Sequence, residues 1–440
     1  MKTITILDNL KHSNWNLDEQ ILSRLKFWVK SDVGTVPEFV NITQDYIKDM
    51  DIDYNISAFN NIDKSSPWLI FVAVNFPFTV NLNNQEQLEN TQLFQGMPDD
   101  VLNELVNGNA YLILSFEQEA YTTQFFDLFY ALYRKNPLIP ANKLIHLTAA
   151  YNIHEIYEKY CLTNNITEQE KIQIWYSCHS LLGPIKYHVD TFFSPAATVK
   201  EKKFINFNRA PRSHRVAFTS LLAEYDLLDY GYVSLGIWED TKFQNTNSVI
   251  DYVANELSAF HGNNIELQKL TESGSKKLVN ALPLTIDTDN FVYKPSFGYS
   301  GSLMDFYNKS YFSIVSNTYF FDKDEMGVTV NEKEYKAILA RHPFLLVAKA
   351  GTLGLLKNLG FKTFDQWFDE SYDDESDDAI RMLKLIKEVD RLCKIDNNTW
   401  DKMIIEMTPT LEYNYDRVVN HANEIIFNST DFKHILEYAT

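Results

Sequence analysis

Short apolar segments alternate with amphipathic helical stretches along this chain, and this alternation constrains the fold more than any other feature of the sequence. In the first half, the segments that predict strands are Thr3–Leu7, Trp68–Val74, Ala110–Ser115, Lys143–Thr148 and Ile172–Tyr176. Between them, Asp99–Val106 and Thr123–Tyr133 place apolar residues at helical spacing. Strands and helices in alternation predict a parallel sheet with helices on its faces.

A second series of the same kind occupies the other half. Its predicted elements are Phe204–Phe207, His214–Glu224, Gly231–Leu235, Phe312–Ser316, Glu332–Ala340, Phe344–Val347, Gly351–Leu359 and Asp378–Cys393. The small and charged residues of 196–203 separate the two series, and 440 residues suffice for two cores. We therefore predict an N-terminal α/β domain over 1–198 and a C-terminal α/β domain with a helical tail over 199–440. The predicted fold class is α/β, with two Rossmann-like domains facing a cleft.

Charge and cysteine content argue against several classes of protein. The formal net charge of −19 disfavours a broad nucleic-acid or membrane-surface footprint, although it allows a local basic cleft. The three cysteines lack the spacing of a disulfide framework or a metal site. The N-terminus has no apolar signal core, and no apolar stretch has the length of a membrane span. A cytoplasmic protein is expected.

Three arginines follow the strand predicted at Phe204–Phe207. Asn208 is followed by Arg209, Arg212 and Arg215, and the last of these enters the next predicted helix. A guanidinium group donates two parallel charged hydrogen bonds and therefore suits a diphosphate. The alternative is a surface cluster of arginines that pair with carboxylates of an acidic protein.

A second group of polar residues surrounds the helix predicted at Glu332–Ala340. Asn317 and Tyr319 precede this helix, and Glu332 and Lys333 open it. A carboxylate at a helix start can accept a hydrogen bond from a ribose hydroxyl. Lys294 is a further candidate for a phosphate contact. Together with the arginines, these residues predict a pocket for a nucleoside diphosphate.

The C-terminal half resembles the donor-binding half of the GT-B-type glycosyltransferases, and in particular that of the α-1,3-fucosyltransferases. The matching segments are Phe204-Ile-Asn-Phe-Asn208 with Arg215, then Ile314-Val-Ser-Asn317, Val328-Thr-Val-Asn331-Glu332-Lys333 and Phe344-Leu-Leu-Val347. The chain departs from the family pattern at Ser316 and Asn331, where the family has Glu and Thr. Pro343 also precedes the last strand instead of lying within it.

The resemblance implies a role for each matching residue. Arg215 would face the diphosphate, Asn317 and Tyr319 would line the nucleotide, Glu332 would hold the ribose, and Lys333 would hold a phosphate or a sugar hydroxyl. It also implies single displacement with inversion. The run Asn208-Arg-Ala-Pro-Arg-Ser-His-Arg215 with His342-Pro-Phe344 is also similar to glycosyltransferase-like proteins of large bacteriophages, which would place the protein in a host cytoplasm.

A general base for an acceptor hydroxyl is expected from the N-terminal domain. Glu117 and Glu119 directly follow the strand predicted at Ala110–Ser115, and the carboxyl ends of parallel strands point into the ligand crevice. Asn75, His188 and Asp190 remain as alternative polar contributors.

These observations together predict a glycosyltransferase. The reaction would move a sugar from a nucleoside-diphosphate donor to the hydroxyl of a glycan or small molecule, without a metal or other cofactor. One alternative is transfer to modified bases of phage DNA, with nucleic acid as a partner. Another is a non-catalytic binding or assembly protein.

The turn Gly351-Thr-Leu-Gly354 could approach a phosphate, although a plain helix start is favoured because the full glycine-rich spacing is missing.

Overall fold

The structure, a computed structural model, describes the following residues: 2–7, 52–57, 59–73, 98–116, 120, 122–135, 137–177, 199–208, 210–236, 246–258, 260, 264–285, 304–321, 326–422, 424–425, 431, 434 and 437. The chain divides into two compact units. The first unit comprises Met1–Pro184, Glu325–Thr329 and Asn423–Thr440, and the second comprises Ile185–Asp324 and Val330–Ala422.

A parallel sheet forms the centre of the first unit. Its described strands are β1 (Lys2–Leu7), β2 (Ile52–Ser57), β3 (Trp68–Ala73), β4 (Ala110–Phe116), β5 (Leu144–Thr148) and β6 (Gln173–Tyr176). They lie in the order β2-β1-β3-β4-β5-β6, and every neighbouring pair is parallel. β5 is buried along its whole length, as expected for a strand covered on both faces of a parallel sheet.

The helices of the first unit are α1 (Asp99–Asn107), α2 (Thr123–Tyr133) and α3 (Ile153–Thr163). Phe125 of α2 stacks on His146 of β5 with ring centroids 3.7 Å apart. Complete burial lowers the pKa of His146 to about 3, so this imidazole is neutral at pH 7. The hydroxyls of Tyr130 and Tyr157 lie 2.6 Å apart and join α2 to α3. Aromatic packing therefore holds the helices to the sheet.

The second unit has a mostly parallel sheet. Its described strands are β7 (Lys202–Asn208), β8 (Gly231–Leu235), β9 (Leu284–Thr285), β10 (Ser310–Ser316) and β11 (Phe344–Val347). Their order is β11-β10-β7-β8-β9, and only the short β9 runs antiparallel. β7 is therefore the first strand of the unit in sequence and lies in the middle of its sheet.

Eight described helices surround this sheet: α4 (Ser213–Glu224), α5 (Thr246–Ser258), α6 (Ile265–Ala281), α7 (Met304–Asn308), α8 (Glu332–Leu339), α9 (Thr352–Asn358), α10 (Asp378–Lys394) and α11 (Asn397–Asn420). All residues of α4 from His214 to Ala223 are buried. A Cβ on Gly274 of α6 would lie 2.0 Å from the carbonyl oxygen of Ser220, so only glycine permits α6 to approach α4 this closely.

The predicted α/β class is confirmed, and each predicted strand or helix with a matching described element agrees with it to within two residues at each end. The sequence did not predict β2, β9, α3, α5, α6 or α7. The domain limits of 1–198 and 199–440 stay a prediction, because residues 178–198 lie outside the described part of the chain.

No described helix has the length and apolar character needed to cross a membrane. The cytoplasmic location stays a prediction.

Candidate functional site

In the second unit, the direction in which the chain adds successive strands to the sheet reverses between β7 and β10. These two strands are parallel neighbours, with Phe204 opposite Phe312. From β7 the chain passes through α4 to β8 on one side, whereas from β10 it passes through α8 to β11 on the other side. The connections therefore leave the two carboxyl ends in opposite directions. Open α/β sheets bind their ligands in the crevice at such a switch point.

Arg215, in the first turn of α4, ties the two diverging connections together. Its side chain is only 3% exposed. One Nη donates to the carbonyl oxygen of Ala210 at 3.0 Å, and the other donates to those of Ser316 and Asn317 at 3.2 and 3.0 Å. Nε has no hydrogen-bond partner among the described residues. All of its described acceptors are backbone carbonyls, so the positive charge is not neutralised by a bonded carboxylate.

Arg215 nevertheless keeps its charge at neutral pH. Burial, and next the nearby Arg212, lower the pKa of Arg215 to about 10, while Glu332 and Glu334 act in the opposite direction. A buried guanidinium at the start of a helix adds to the positive end of the helix dipole. The carboxyl end of β7 is consequently a region of positive potential that favours an anion.

His214 supports the same connection as a neutral group. Its Nε2–H donates to the carbonyl oxygen of Asn317 at 3.1 Å, and its ring stacks on that of Phe320 at 5.8 Å. Burial, reinforced by the charge of Arg215, lowers the pKa of His214 well below its usual value. His214 therefore adds no charge near pH 7 and acts as a fixed donor.

Asn317 is the hub of the loop that follows β10. Its Oδ1 accepts from the backbone N–H groups of Thr318 and Tyr319 at 2.5 and 3.3 Å, and from Nδ2 of Asn331 at 2.8 Å. Its Nδ2 donates to Oε1 of Glu334 at 2.7 Å. One side chain thus fixes the loop after β10 to the start of α8.

The start of α8 is a capping box. Oδ1 of Asn331 accepts from the backbone N–H of Lys333 at 3.0 Å, and Oε2 of Glu334 accepts from the backbone N–H of Asn331 at 2.9 Å. Burial raises the pKa of Glu334 to about 7. The Asn-x-x-Glu spacing is a sequence signal for this motif, yet sequence reasoning assigned no role to Glu334.

Glu332 and Lys333 form an ion pair beside the capping box, with Nζ and Oε1 2.8 Å apart and both side chains partly exposed. Burial acts to raise the pKa of Glu332, but the charges of Lys333 and Lys336 outweigh it and bring the pKa to about 2. Glu332 is therefore a permanent carboxylate. Two lysines accompany it, so this end of α8 is not strongly negative.

β7 contributes two buried amides at its carboxyl end. Nδ2 of Asn206 donates to the carbonyl oxygen of Ile314 and to Oγ of Ser316 at 2.8 and 3.2 Å. Nδ2 of Asn208 donates to Oδ1 of Asn206 at 2.6 Å, whereas Oδ1 of Asn208 has no hydrogen-bond partner among the described residues. A buried acceptor without a donor is costly unless a ligand or water supplies one.

Arg212 is the exposed counterpart of Arg215. Its guanidinium lies over the ring of Tyr319, 5.6 Å from the ring centroid, and donates to the carbonyl oxygen of Thr318 at 3.2 Å. The two predicted groups of residues therefore converge: Arg212 and Arg215 contact the loop after β10, and Asn317 of that loop contacts α8. Arg209, Lys294, Glu117 and Glu119, like Asn75, His188 and Asp190, lie outside the described residues.

In the glycine turn after β11, backbone N–H groups are hydrogen-bonded to a carboxylate of the same chain. Gly351 adopts a left-handed conformation (φ 82°) at the start of α9. The carboxylate of Asp373 accepts from the backbone N–H groups of Leu353 and Gly354 at 3.0 and 3.1 Å. These are the groups that would otherwise bind a phosphate, so the turn is a helix start capped by its own chain.

A second buried arginine, Arg381 of α10, was not singled out from the sequence. Its side chain is fully buried and lies over the ring of Phe320, 4.5 Å from the centroid. It donates to the carbonyl oxygens of Phe320 and Ala348 at 2.6 and 3.2 Å. Arg381 therefore links the loop after β10 to the end of β11. These two partners are distant in sequence, so no local pattern signals the link.

Comparisons with known proteins add little to this geometry. No protein-family model matches the chain, and no curated protein sequence matches it. Among solved structures, the chain is similar to one titled trehalose-6-phosphate synthase OtsA, with 11% sequence identity and a TM-score of 0.35 over 96% of this chain and 83% of that chain. A likeness at this level carries no argument about function.

Proposed function

We propose that the protein is a glycosyltransferase whose second unit binds a nucleoside-diphosphate sugar at the switch point between β7 and β10. The observation that carries the proposal is the buried guanidinium of Arg215, which has only backbone carbonyls as described acceptors and lies at the start of α4. Arg212 adds positive charge beside it, and Lys333 adds positive charge near the adjacent His214. Such a site favours a ligand with at least two negative charges.

The chemistry of glycosyl transfer fits this distribution of charge. Positive charge develops on the sugar in an oxocarbenium-like transition state, while negative charge develops on the departing diphosphate. Arg215, Arg212 and the N–H groups of the first residues of α4 would stabilise the departing group without a metal. One preorganised donor of this kind lowers a barrier by about 2–4 kcal/mol.

The remaining residues of the site would bind the nucleoside. Glu332, ionised at neutral pH, would accept from the ribose hydroxyls. Tyr319, beside Arg212, would contact the base, and Lys333 would contact a phosphate or a sugar hydroxyl. Asn317 would act through the loop that it holds.

For the acceptor side, we propose a general base from the residues after β4, with Glu117 and Glu119 as candidates. The acceptor would be a glycan or a small molecule, and transfer would invert the anomeric centre. A panel of acceptors that includes duplex DNA separates this proposal from transfer to modified bases, because DNA binding weakens steeply with salt.

A panel of uridine, guanosine, adenosine, cytidine and thymidine diphosphate sugars tests the proposal. One member should stabilise the protein in thermal unfolding by about 2.7 kcal/mol at 100 times its dissociation constant. Arg212→Ala should weaken the binding of that ligand by about 1.5–3 kcal/mol, because a charged hydrogen bond to the ligand is lost. The exposed position of Arg212 keeps the cost to stability small.

A matched control is Lys277→Ala, which removes a partly exposed cation from α6 and should leave the ligand-induced shift unchanged. Absence of any shift across the panel would contradict the proposal and favour a non-catalytic binding or assembly protein. An unchanged shift in Arg212→Ala would remove Arg212 from the site.

A further inference from the structure

We propose that Glu334 is a positioning residue whose protonation is coupled to ligand binding, so that a bound diphosphate is held most tightly when this carboxyl is neutral. The inference rests on the proposed function, because it places the diphosphate at the switch point. It adds a proton-linked step to donor binding at that same site.

The geometry connects Glu334 to the cation through a single residue. The Glu334 side chain is fully buried, with Oε1 bonded to Nδ2 of Asn317 and Oε2 bonded to the backbone N–H of Asn331. The carbonyl oxygen of the same Asn317 accepts from Arg215 and from His214. A change of charge at Glu334 therefore acts on the loop that Arg215 holds.

The charges around Glu334 come from several elements. Burial raises the pKa of Glu334 to about 7; Lys333 and the Asn331 N–H act to lower it, and Glu332 acts to raise it. The charge of Glu334 also acts on Arg215 of α4. β10 ends in Ser316 and continues into Asn317, which do not titrate. On α11, which packs against α8, Glu412 is bonded to Arg341 beyond the end of α8.

A diphosphate near Arg215 would add two negative charges to this poorly solvated cluster. Like charges in such a region raise the pKa of a carboxyl, so binding drives Glu334 toward its neutral form and takes up a proton. Above pH 7 the free protein carries the Glu334 carboxylate, and binding has to protonate it. Below pH 6 Glu334 is already neutral. Affinity should therefore fall about tenfold between pH 6 and pH 8.

Two other ionisable groups of the site do not titrate in this window. The pKa of Glu332 is about 2, and the pKa of His214 lies well below its ordinary value. Glu332→Gln therefore removes the same charge from the same helix without removing a titration between pH 6 and pH 8. Because the charge of Glu332 acts to raise the pKa of Glu334, Glu332→Gln should keep the fall in affinity with pH but move it to lower pH. Glu334→Gln should abolish the pH dependence.

The test is titration calorimetry of the full chain with the five nucleoside-diphosphate glucoses, whose diphosphate is a diester and does not titrate between pH 6 and pH 8. Affinity is measured at pH 6, 7 and 8, and the binding enthalpy at pH 7 in two buffers of different ionisation enthalpy. The wild type should lose about tenfold in affinity from pH 6 to pH 8 and take up about half a proton at pH 7.

Each outcome separates this inference from the proposed function. Binding that is independent of pH and of buffer overturns the role of Glu334 and leaves donor binding intact. If the affinity of Glu334→Gln still falls from pH 6 to pH 8, another group takes up the proton, and the role of Glu334 is overturned as well. Absence of binding by every nucleotide sugar overturns both. Should Glu334→Gln fail to fold, Glu332→Gln decides the result: a fall in affinity that moves to lower pH supports the role of Glu334, and a fall that stays at the wild-type pH overturns it.

Discussion

Replacing Arg381 with Met should lower the free energy of unfolding of the second unit by about 4 kcal/mol. The guanidinium is fully buried and donates to the carbonyl oxygens of Phe320, Ala348 and Glu375 at 2.6, 3.2 and 2.7 Å. It also bonds the carboxylate of Asp378. Methionine keeps much of the apolar volume but donates nothing, so buried oxygens lose their donors. Chemical denaturation measures the loss.

Lys387→Ala is the matched control for this substitution. Lys387 lies on the same helix, α10, but is 59% exposed, and its Nζ lies 3.5 Å from Oε1 of Glu266. An exposed ion pair of this kind contributes less than about 1 kcal/mol. If Arg381→Met were no more destabilising than Lys387→Ala, Arg381 would not be the tie between the loop after β10 and β11.

Replacing Asn317 with Ala should destabilise the second unit by about 3 kcal/mol and remove nucleotide-sugar binding. The alanine leaves the N–H groups of Thr318 and Tyr319 and the amide of Asn331 without their acceptor, and Oε1 of Glu334 without its donor. Unpaired buried polar groups cost about 1–3 kcal/mol each, offset in part where water enters. Denaturation and the nucleotide panel measure the two effects.

Asn317→Asp gives a sharper test of the same hub. It keeps the acceptor but places a second carboxyl against Oε1 of Glu334, which lies 2.7 Å from Nδ2 of Asn317. Two adjacent carboxyls share a proton, so their folded-state pKa is raised and the stability that they contribute is lost as pH rises through it. Asn317→Asp should therefore be far more destabilising at pH 8 than at pH 5.5. If the free energy of unfolding changed equally with pH in Asn317→Ala and Asn317→Asp, the contact between residue 317 and Glu334 would be contradicted.

The alternation of strands and helices was predictable because most elements bury a strong apolar pattern. β5 and β11 are buried along their whole length, and both are continuous apolar runs apart from His146 and Thr148. β2 was missed because Ile52–Ser57 mixes apolar residues with aspartate and asparagine. α3 was missed because much of its buried face is tyrosine and cysteine, which are weak helix formers.

The candidate site was predictable in position more than in mechanism. Arginines at the start of one helix and an Asn-x-x-Glu box at the start of another are local patterns, and both lie where the connections diverge. The acceptors of Arg215 come from positions 210, 316 and 317, and only the pairing of β7 with β10 brings these together. The long-range partners of Arg381 depend on tertiary structure in the same way.

Hydrogen exchange of the full chain with the nucleotide sugar that gives the largest thermal shift tests the central claim most directly. Binding at the switch point should slow exchange of the backbone N–H groups at 213–218, 316–320 and 331–336, which belong to the start of α4, the loop after β10 and the start of α8. Slowed exchange confined to the first unit, or absent from all three segments, would contradict the placement of the donor between β7 and β10.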